Sequence, residues 1–377
     1  MVKKKSNSFV LSFFKLITYI FLCILLSSLL SRYIPPDKFI YAAFLSLIFP
    51  ILYVGGITIF FIWLIFRKKI SIYIALVLLI CSPLFYKFFN IFPVSFNNPE
   101  SNNGITVMSF NTRLFNRFNQ KKDIDKILTK NKILSFIQNE KPDIICLQEV
   151  YFDTEEKYKT TDTLAKIQNA TELHEFFPFQ RKNHKYGIST LSKFPILNKG
   201  EIKFSKNIKN PCIFTDIEAF NDTIRIYNAH FASIGISEED LFFIDNINTF
   251  DFGDTNSIFS DKSLHKIASQ LKNAFLKRTE QIKIISEHIM NCKHPVILCT
   301  DLNDTPSSYA YYKLSRKLND AFLKSGKGIG KTYNGLLPLL RIDFIFYSNE
   351  FISTSFQIHN VDLSDHLPIS TKIFLKN

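Results

Sequence analysis

The first hundred residues hold only two acidic side chains, Asp37 and Glu100, against ten Lys and Arg. The remaining 277 hold 31 acids and 36 bases, so most of the +13 formal charge lies in that first stretch. The remainder is only mildly basic. That weakens a reading of strong nucleic-acid binding, which usually needs a concentrated basic face. Cysteine is also scarce, six in 377 residues, and none has metal-ligand spacing, which excludes a thiolate zinc site. Cys23 and Cys81 fall in long apolar runs, Cys146 and Cys299 in short ones, Cys212 and Cys292 in neither. An oxidising compartment would permit disulfides; buried free thiols are the simpler reading. No Ser or Cys nucleophile motif and no internal repeat is visible. The abundance of Phe, Ile, Asn and Lys runs along the whole chain and reads as background bias.

Charge is missing altogether from three long runs: residues 16–31, the 28 residues 39–66, and 70–86. A membrane-spanning helix needs about 20 mostly apolar residues. Three spans are therefore expected, near 10–32, 39–66 and 70–90, making residues 1–92 an anchor in the lipid bilayer. No small-residue cleavage site follows Leu30, which argues against a removable signal peptide. Lys3-Lys4-Lys5 and Arg67-Lys68-Lys69 flank the spans, and such clusters face the cytoplasm. The N-terminus is then cytoplasmic and the remainder extracytoplasmic. Residues 93–104, rich in Asn, Pro and Ser, read as a linker. Residues 105–377 form the second domain.

Within that domain, strand-like runs recur at 105–110, 144–147, 188–191, 224–231, 296–299 and 342–346. Ile124, Leu128, Leu134 and Ile137 suggest a helix ending before Pro142. Leu264, Ile267, Leu271, Phe275, Ile282, Ile285 and Ile289 give a stronger three-four spacing. Mixed strands and helices of this size predict an α/β sandwich with helices outside two sheets.

Five short polar motifs each follow an apolar run: Ser109-Phe110-Asn111, Leu147-Gln148-Glu149, Asn228-Ala229-His230, Asp301-Leu302-Asn303 and Ser364-Asp365-His366. Hydrolysing a phosphate ester needs charge neutralisation, a deprotonated water and a protonated leaving group. Mg²⁺ takes oxygen ligands, commonly only one or two of them carboxylates, and Glu149 suits that role. Asp301 and Asn303, two apart on extended chain, share a face and can align a water and hold a phosphate oxygen. The same stretch, Asn303-Asp304-Thr305-Pro306, is also good turn chemistry. A neutral His takes the water's proton and a protonated one serves the leaving group; His230 and His366 are the candidates. Asp343 is placed to orient His366 through its ring N–H. His174, His184, His265, His288, His294 and His359 read as structural.

These motifs resemble the endonuclease/exonuclease/phosphatase superfamily, which includes deoxyribonuclease-I-like nucleases, sphingomyelinases and inositol polyphosphate 5-phosphatases. The resemblance covers about residues 104–375. It rests on the five motifs together with Pro142-Asp143-Ile144-Ile145-Cys146, Gly187-Ile188-Ser189-Thr190-Leu191-Ser192-Lys193-Phe194-Pro195 and Arg341-Ile342-Asp343. It implies a four-layer α/β sandwich, deoxyribonuclease-I-like, dependent on Mg²⁺ or Mn²⁺. Asn111 and Glu149 would lie at the metal, and Asp301 and Asn303 would bind metal, water or phosphate. Asp365 would be a carboxylate at or beside the metal. His366 would be the base or a phosphate contact, and His230 would serve the leaving group. Arg278 and Gln281 resemble a recurrent structural Arg-x-x-Gln. The abasic-site repair branch generally lacks a His at position 230, which disfavours that activity. Thr300 departs from the frequent Gly before the Asp and is expected to narrow the approach to the phosphate.

The expectation is a metal-dependent phosphodiesterase outside the cytoplasm, working by activated-water attack on a lipid head group, nucleic acid or small molecule. The alternatives are an extracytoplasmic nuclease and a non-catalytic membrane scaffold. The stretch 233–262, acidic with interleaved Phe, is expected to influence substrate choice.

Overall fold

The structure, a computed structural model, describes residues 2–66, 68–91, 104–117, 126–153, 159–170, 172–204, 210–233, 261–334 and 340–376. Two six-stranded sheets face each other. The first runs β13 (Phe351–Ile358), β14 (Ile369–Leu375), β2 (Gly104–Asn111), β3 (Ile144–Asp153), β5 (His184–Ser192), β4 (Glu172–Arg181). The second runs β10 (Asn319–Asp320), β12 (Asp343–Tyr347), β9 (Val296–Asp301), β8 (Asp222–His230), β7 (Cys212–Ala219), β6 (Ile196–Glu201). Each sheet has one parallel pair, β2–β3 and β8–β9. The crossovers carry α5 (Lys126–Glu140) and α7 (Asp261–Met290) respectively.

Strand alternation sorts the side chains. Met108, Phe110, Ile145 and Leu147 turn outward against α5 and α6 (Thr160–Gln168). Tyr227, Leu298 and Phe344 turn outward against α7 and α8 (Tyr309–Ser315). The result is four layers: helices, sheet, sheet, helices. Between the sheets the register builds tiers. Val107, Ile144, Ile226, Ile297 and Tyr347 form an apolar floor. One step of two residues up lie Ser109, Cys146, Asn228, Cys299 and Ile345, and one further step brings Asn111, Gln148, His230, Asp301 and Asp343 level. The apolar-to-polar gradient along each strand is what gathers the site at one rim. All six thiols are free, and Cys146, Cys212 and Cys299 are buried.

One cross-sheet contact makes stability depend on pH. His174 of β4 bonds Thr215 Oγ1 of β7 through Nδ1 at 2.8 Å. Burial, and then the charge of Lys199, push its imidazolium down to about 4. The unfolded chain takes up this proton near pH 6.5, so the contribution is complete above that pH and fades as pH falls towards 4. A shift of that size is worth about 3 kcal/mol, and partial contact with water reduces it to roughly 1–2 kcal/mol. Thermal unfolding at pH 7 and pH 5 checks this: His174→Gln should show a smaller drop in midpoint than the parent.

The three-span expectation is corrected. Helix α1 (Val2–Ser31) contains Phe9–Ser31, long and apolar enough to cross a membrane alone. The second expected span is broken into α2 (Ile40–Leu47) and α3 (Phe49–Ile65), bent by 55°. Pro50 in the first turn of α3 has no N–H to continue α2, which is why the helix breaks there. The third, α4 (Ile70–Phe85), has 16 residues and carries Pro83 near its end. Among the described residues one helix therefore meets the length and apolarity of a span, or two if the bent pair counts as one.

Nor is the helical part a loosely tethered unit. Past α4, β1 (Phe89–Asn90) pairs antiparallel with β11 (Gly328–Ile329). The Asn90 amide donates to the carbonyls of Phe322, Leu323 and Gly326 at 3.0, 3.2 and 2.8 Å. Arg341 Nη1 donates to Lys87 O at 3.0 Å, while its Nη2 meets Asp320 at 2.5 Å, both side chains buried. Phe44 packs edge-on against Phe275 of α7. Residues 93–103 of the expected linker lie outside the described residues, as do residues 234–260 of the acidic stretch.

Candidate active site

Asn111 ends β2, and its Nδ2 donates to Asp301 Oδ2 at 2.9 Å across the two sheets. Its Oδ1 accepts the Arg113 backbone N–H at 3.0 Å. Below it, Gln148 Nε2 donates to Asn228 Oδ1 at 2.8 Å. Asn228 in turn donates to the carbonyls of Leu147 and Ser189 at 3.1 and 3.0 Å. Gln148 and Asn228 thus tie the sheets together directly beneath the site. Gly187 serves the same frame, since a Cβ there would stand 1.9 Å from the Phe176 carbonyl oxygen.

Glu149 owes its position to a fault in the strand. Gln148 faces inward, so in regular alternation Glu149 would face the outer helices. The β3–β5 register shifts between Leu147 and Val150, and Glu149 sits at φ +48° in the left-handed region. A bulge re-aims side chains. Here it brings Glu149 Oε1 to 3.5 Å from His230 Nε2, while Asp301 Oδ2 approaches the same nitrogen at 3.5 Å. That nitrogen is buried and completes no hydrogen bond among the described residues.

Asp301 ends β9, opposite Asp343 in β12 and level with His230 in β8. Its Oδ1 accepts the Asn303 backbone N–H at 2.9 Å. Asn303, at φ +52°, donates its amide to Phe231 O at 3.1 Å. His366 Nδ1 meets both Asp343 oxygens at 3.0 Å, and its Nε2 faces Asp301 Oδ2 at 3.8 Å. Burial disfavours the imidazolium, but Asp343 and Asp301, joined by Asp365, outweigh it and hold His366 well above the usual histidine range. Burial also pushes Asp343 up, against the pull of His366. The ion pair, imidazolium with carboxylate, is the state these contacts favour.

Asp301, Asp343 and His366 offer ligand atoms within 4.8 Å of one another. The Asp343–His366 hydrogen bonds account for that grouping without an ion. A divalent cation fits better between Glu149 and Asp301. They are two hard oxygen donors converging on one unsatisfied nitrogen, a donor set suited to a hard divalent cation; the Asn111 amide beside them turns Nδ2 to Asp301 and Oδ1 to the Arg113 N–H. Asp365 stands apart from this group. Its partners are Arg113 Nε at 3.4 Å and Ser364 Oγ at 3.2 Å. Thr300 does not narrow the approach, because it faces away from Asp301 on the next position of β9.

Arg278 and Gln281 clamp the chain just past His230. Arg278 Nη1 donates to Ala232 O at 2.6 Å and Gln281 Oε1 accepts from Ala232 N at 3.0 Å. Two residues near the site had drawn no attention from sequence. Tyr333 packs its ring 5.1 Å from that of His366, and burial, then the Asp365 charge, push its phenol up to about 12. Arg113 pairs with Asp365 in a four-residue left-handed turn, Arg113–Asn116. Neither sits at a strand end with alternating neighbours, so periodicity gave no signal.

A model of the endonuclease/exonuclease/phosphatase family matches residues 108–366. A second model, a domain of unknown function (DUF8431), matches residues 11–88. No curated protein matches the chain. Among solved structures, an endonuclease/exonuclease/phosphatase from Bacteroides vulgatus superposes with TM-score 0.53 at 17% identity, covering 72% of this chain and 99% of that one. The human nocturnin catalytic domain with bound sulfate gives TM-score 0.53 at 17% identity, with 74% and 97% covered. A mannosyl-6-phosphatase from Bacteroides thetaiotaomicron gives 0.52 at 16% identity, with 72% and 100% covered. At these identities the likeness shows the fold.

Proposed function

The chain belongs to the endonuclease/exonuclease/phosphatase family, and from that premise we propose a metal-dependent hydrolase of phosphate esters, a phosphodiesterase attacking with water. The observation that carries this reading is Glu149, turned by a bulge to share the unpartnered His230 Nε2 with Asp301.

Glu149 and Asp301, with Asn111, would hold Mg²⁺ or Mn²⁺. When bound, such an ion supplies positive charge to phosphoryl oxygens and lowers the pKa of a bound water. The protein's own groups do the rest. Asp301, fixed by the Asn303 N–H, aligns the attacking water and takes its proton. His366, held as imidazolium by Asp343, donates Nε2–H to a phosphoryl oxygen. His230 delivers a proton to the leaving oxygen. Asn111 and Asn303 border the phosphate. Asp365 supports the charge of His366 and anchors Arg113.

The helical part is read as a membrane anchor over residues 1–92, with the N-terminus cytoplasmic and the catalytic domain outside. Support comes from large apolar side chains turned outward on each helix, among them Phe13, Tyr41, Ile51 and Leu79. Soluble proteins rarely leave such a surface bare. A reporter fused at Asn377 that works only in the cytoplasm would overturn the orientation.

Purified full chain in nanodiscs should hydrolyse a bis-aryl phosphodiester faster than the matching monoester, with Mg²⁺ or Mn²⁺ and not with EDTA. Turnover insensitive to EDTA, or none from folded protein that also binds no Mn²⁺ by calorimetry, would sink the proposal and favour a scaffold.

A further inference from the structure

The break between α2 and α3 has a consequence at the rim of the site. In a continuous helix the Ser46 carbonyl would accept from the N–H of residue 50. That residue is Pro50, which has no N–H to offer. A carbonyl left bare in an apolar setting is costly. Within the helices only the Ile48 N–H, two residues on and shared with Phe44 O, turns to the Ser46 carbonyl; the second domain supplies the close partner, Ser307 Oγ donating to Ser46 O at 2.6 Å, fully buried.

Ser307 lies four residues beyond Asn303, on the loop that leaves the top of β9. Its hydroxyl proton is committed to Ser46, so the 2.9 Å contact with Thr305 Oγ1 makes Thr305 the donor. The Thr305 N–H is held by Asp304 Oδ1 at 3.0 Å, and Asp304 Oδ2 by Arg278 Nε at 3.2 Å. Arg278 is the residue that clamps Ala232, two beyond His230. Every member of this chain is buried. It runs from a proline-made gap in the apolar helices to Asp304, the backbone neighbour of the left-handed Asn303, whose N–H is held by Asp301.

We propose that the α2–α3 break is a positioning element for the catalytic loop, and that Ser307 is the positioning residue that reads it. This rests on the catalytic reading of Asp301 and Asn303 given above. The helices then do more than tether the domain. Their broken geometry sets where the 303–308 loop stands.

The test uses the full chain in nanodiscs, with Ser307→Ala, Ser307→Thr and Asn90→Ala. Asn90 also joins the helical part to the domain, but through Phe322, Leu323 and Gly326, away from this loop. Ser307→Ala should lower kcat about tenfold with KM within twofold, and speed amide hydrogen exchange selectively over 303–308. Ser307→Thr, which keeps the hydroxyl, should restore both. Asn90→Ala should lower the thermal midpoint and leave kcat and the 303–308 exchange unchanged. Unchanged 303–308 exchange in Ser307→Ala would overturn the positioning role whether or not the parent enzyme turns over. Equal loss of kcat in Ser307→Ala and Asn90→Ala would overturn it too, by reducing it to general stability. Failure of the hydrolase reading shows separately, as absent turnover in the parent.

Discussion

Replacing His366 with Gln in the full chain should lower kcat on a phosphate ester by about a thousandfold, the scale of a lost charged or proton-carrying contact. Asp343→Asn should lower it by about a hundredfold. The double variant should be no worse than His366→Gln alone, because Asp343 touches the reaction only through the His366 ring, at 3.0 Å from Nδ1. Residues acting as one unit are strongly non-additive. The pH profile carries a second readout. Asp343 is the first of the charges that raise His366. A group raised in the folded enzyme stays protonated until pH climbs past its folded value. Activity that needs the imidazolium is therefore lost on the alkaline side. Without the Asp343 charge that loss should move to lower pH. An unmoved alkaline limb, or two additive losses in the double variant, would separate the two residues and end this account.

That pair was legible in the sequence because each stands beside an apolar run, Asp343 heading Asp343–Tyr347 and His366 just ahead of Ile369–Leu375. Ile342-Asp343-Phe344 and Ser364-Asp365-His366 each place a polar side chain next to a buried strand end. The same logic found Asn111, His230 and Asp301, and it found the strands with continuous apolar runs. It missed β4, β6 and β7, and also β13 and β14. Strand β6 reads Ile196-Leu197-Asn198-Lys199-Gly200-Glu201, polar and half-exposed at a sheet edge. Strand β4 carries Pro178 and a register shift against β5. Edge strands bury one face or none, so period-two patterning fades. The count of three spans failed for a different reason. Charge-free length counts residues but not turns of helix, and Pro50 breaks the helix inside an apolar run that is long enough on paper. The docking through Asn90, Ser307 and Arg341 was invisible because each contact pairs residues more than 230 positions apart. Asp365 drew a place at or beside the metal from its motif; its pairing with Arg113, two residues past Asn111, gave no signal in the sequence.

Glu149 is where stability and activity should part most sharply. A non-glycine residue in the left-handed region carries about 1–2 kcal/mol of strain. Glu149 sits there at φ +48° in a register shift whose Gln148 and Glu149 carbonyls accept from Thr112. It also brings a carboxylate next to Asp301 around one nitrogen. Glu149→Gly removes both costs. Glycine's greater freedom in the unfolded chain takes back about 0.5–1 kcal/mol. The expected net gain is therefore about 1 kcal/mol, seen as a higher thermal midpoint in EDTA. Glu149→Gln keeps the strain and relieves only the charge, so its midpoint should rise less than that of Glu149→Gly. Both variants should need about a hundredfold more Mn²⁺ for half-maximal turnover, and at low millimolar metal both should be nearly inactive. The contrast isolates the backbone from the charge. If Glu149→Gly melts lower than the parent in EDTA, the bulge is relaxed and the side chain packs there for structure. If it melts higher and is dead, the fold is holding an unfavourable turn in place because the carboxylate has to reach between the two sheets.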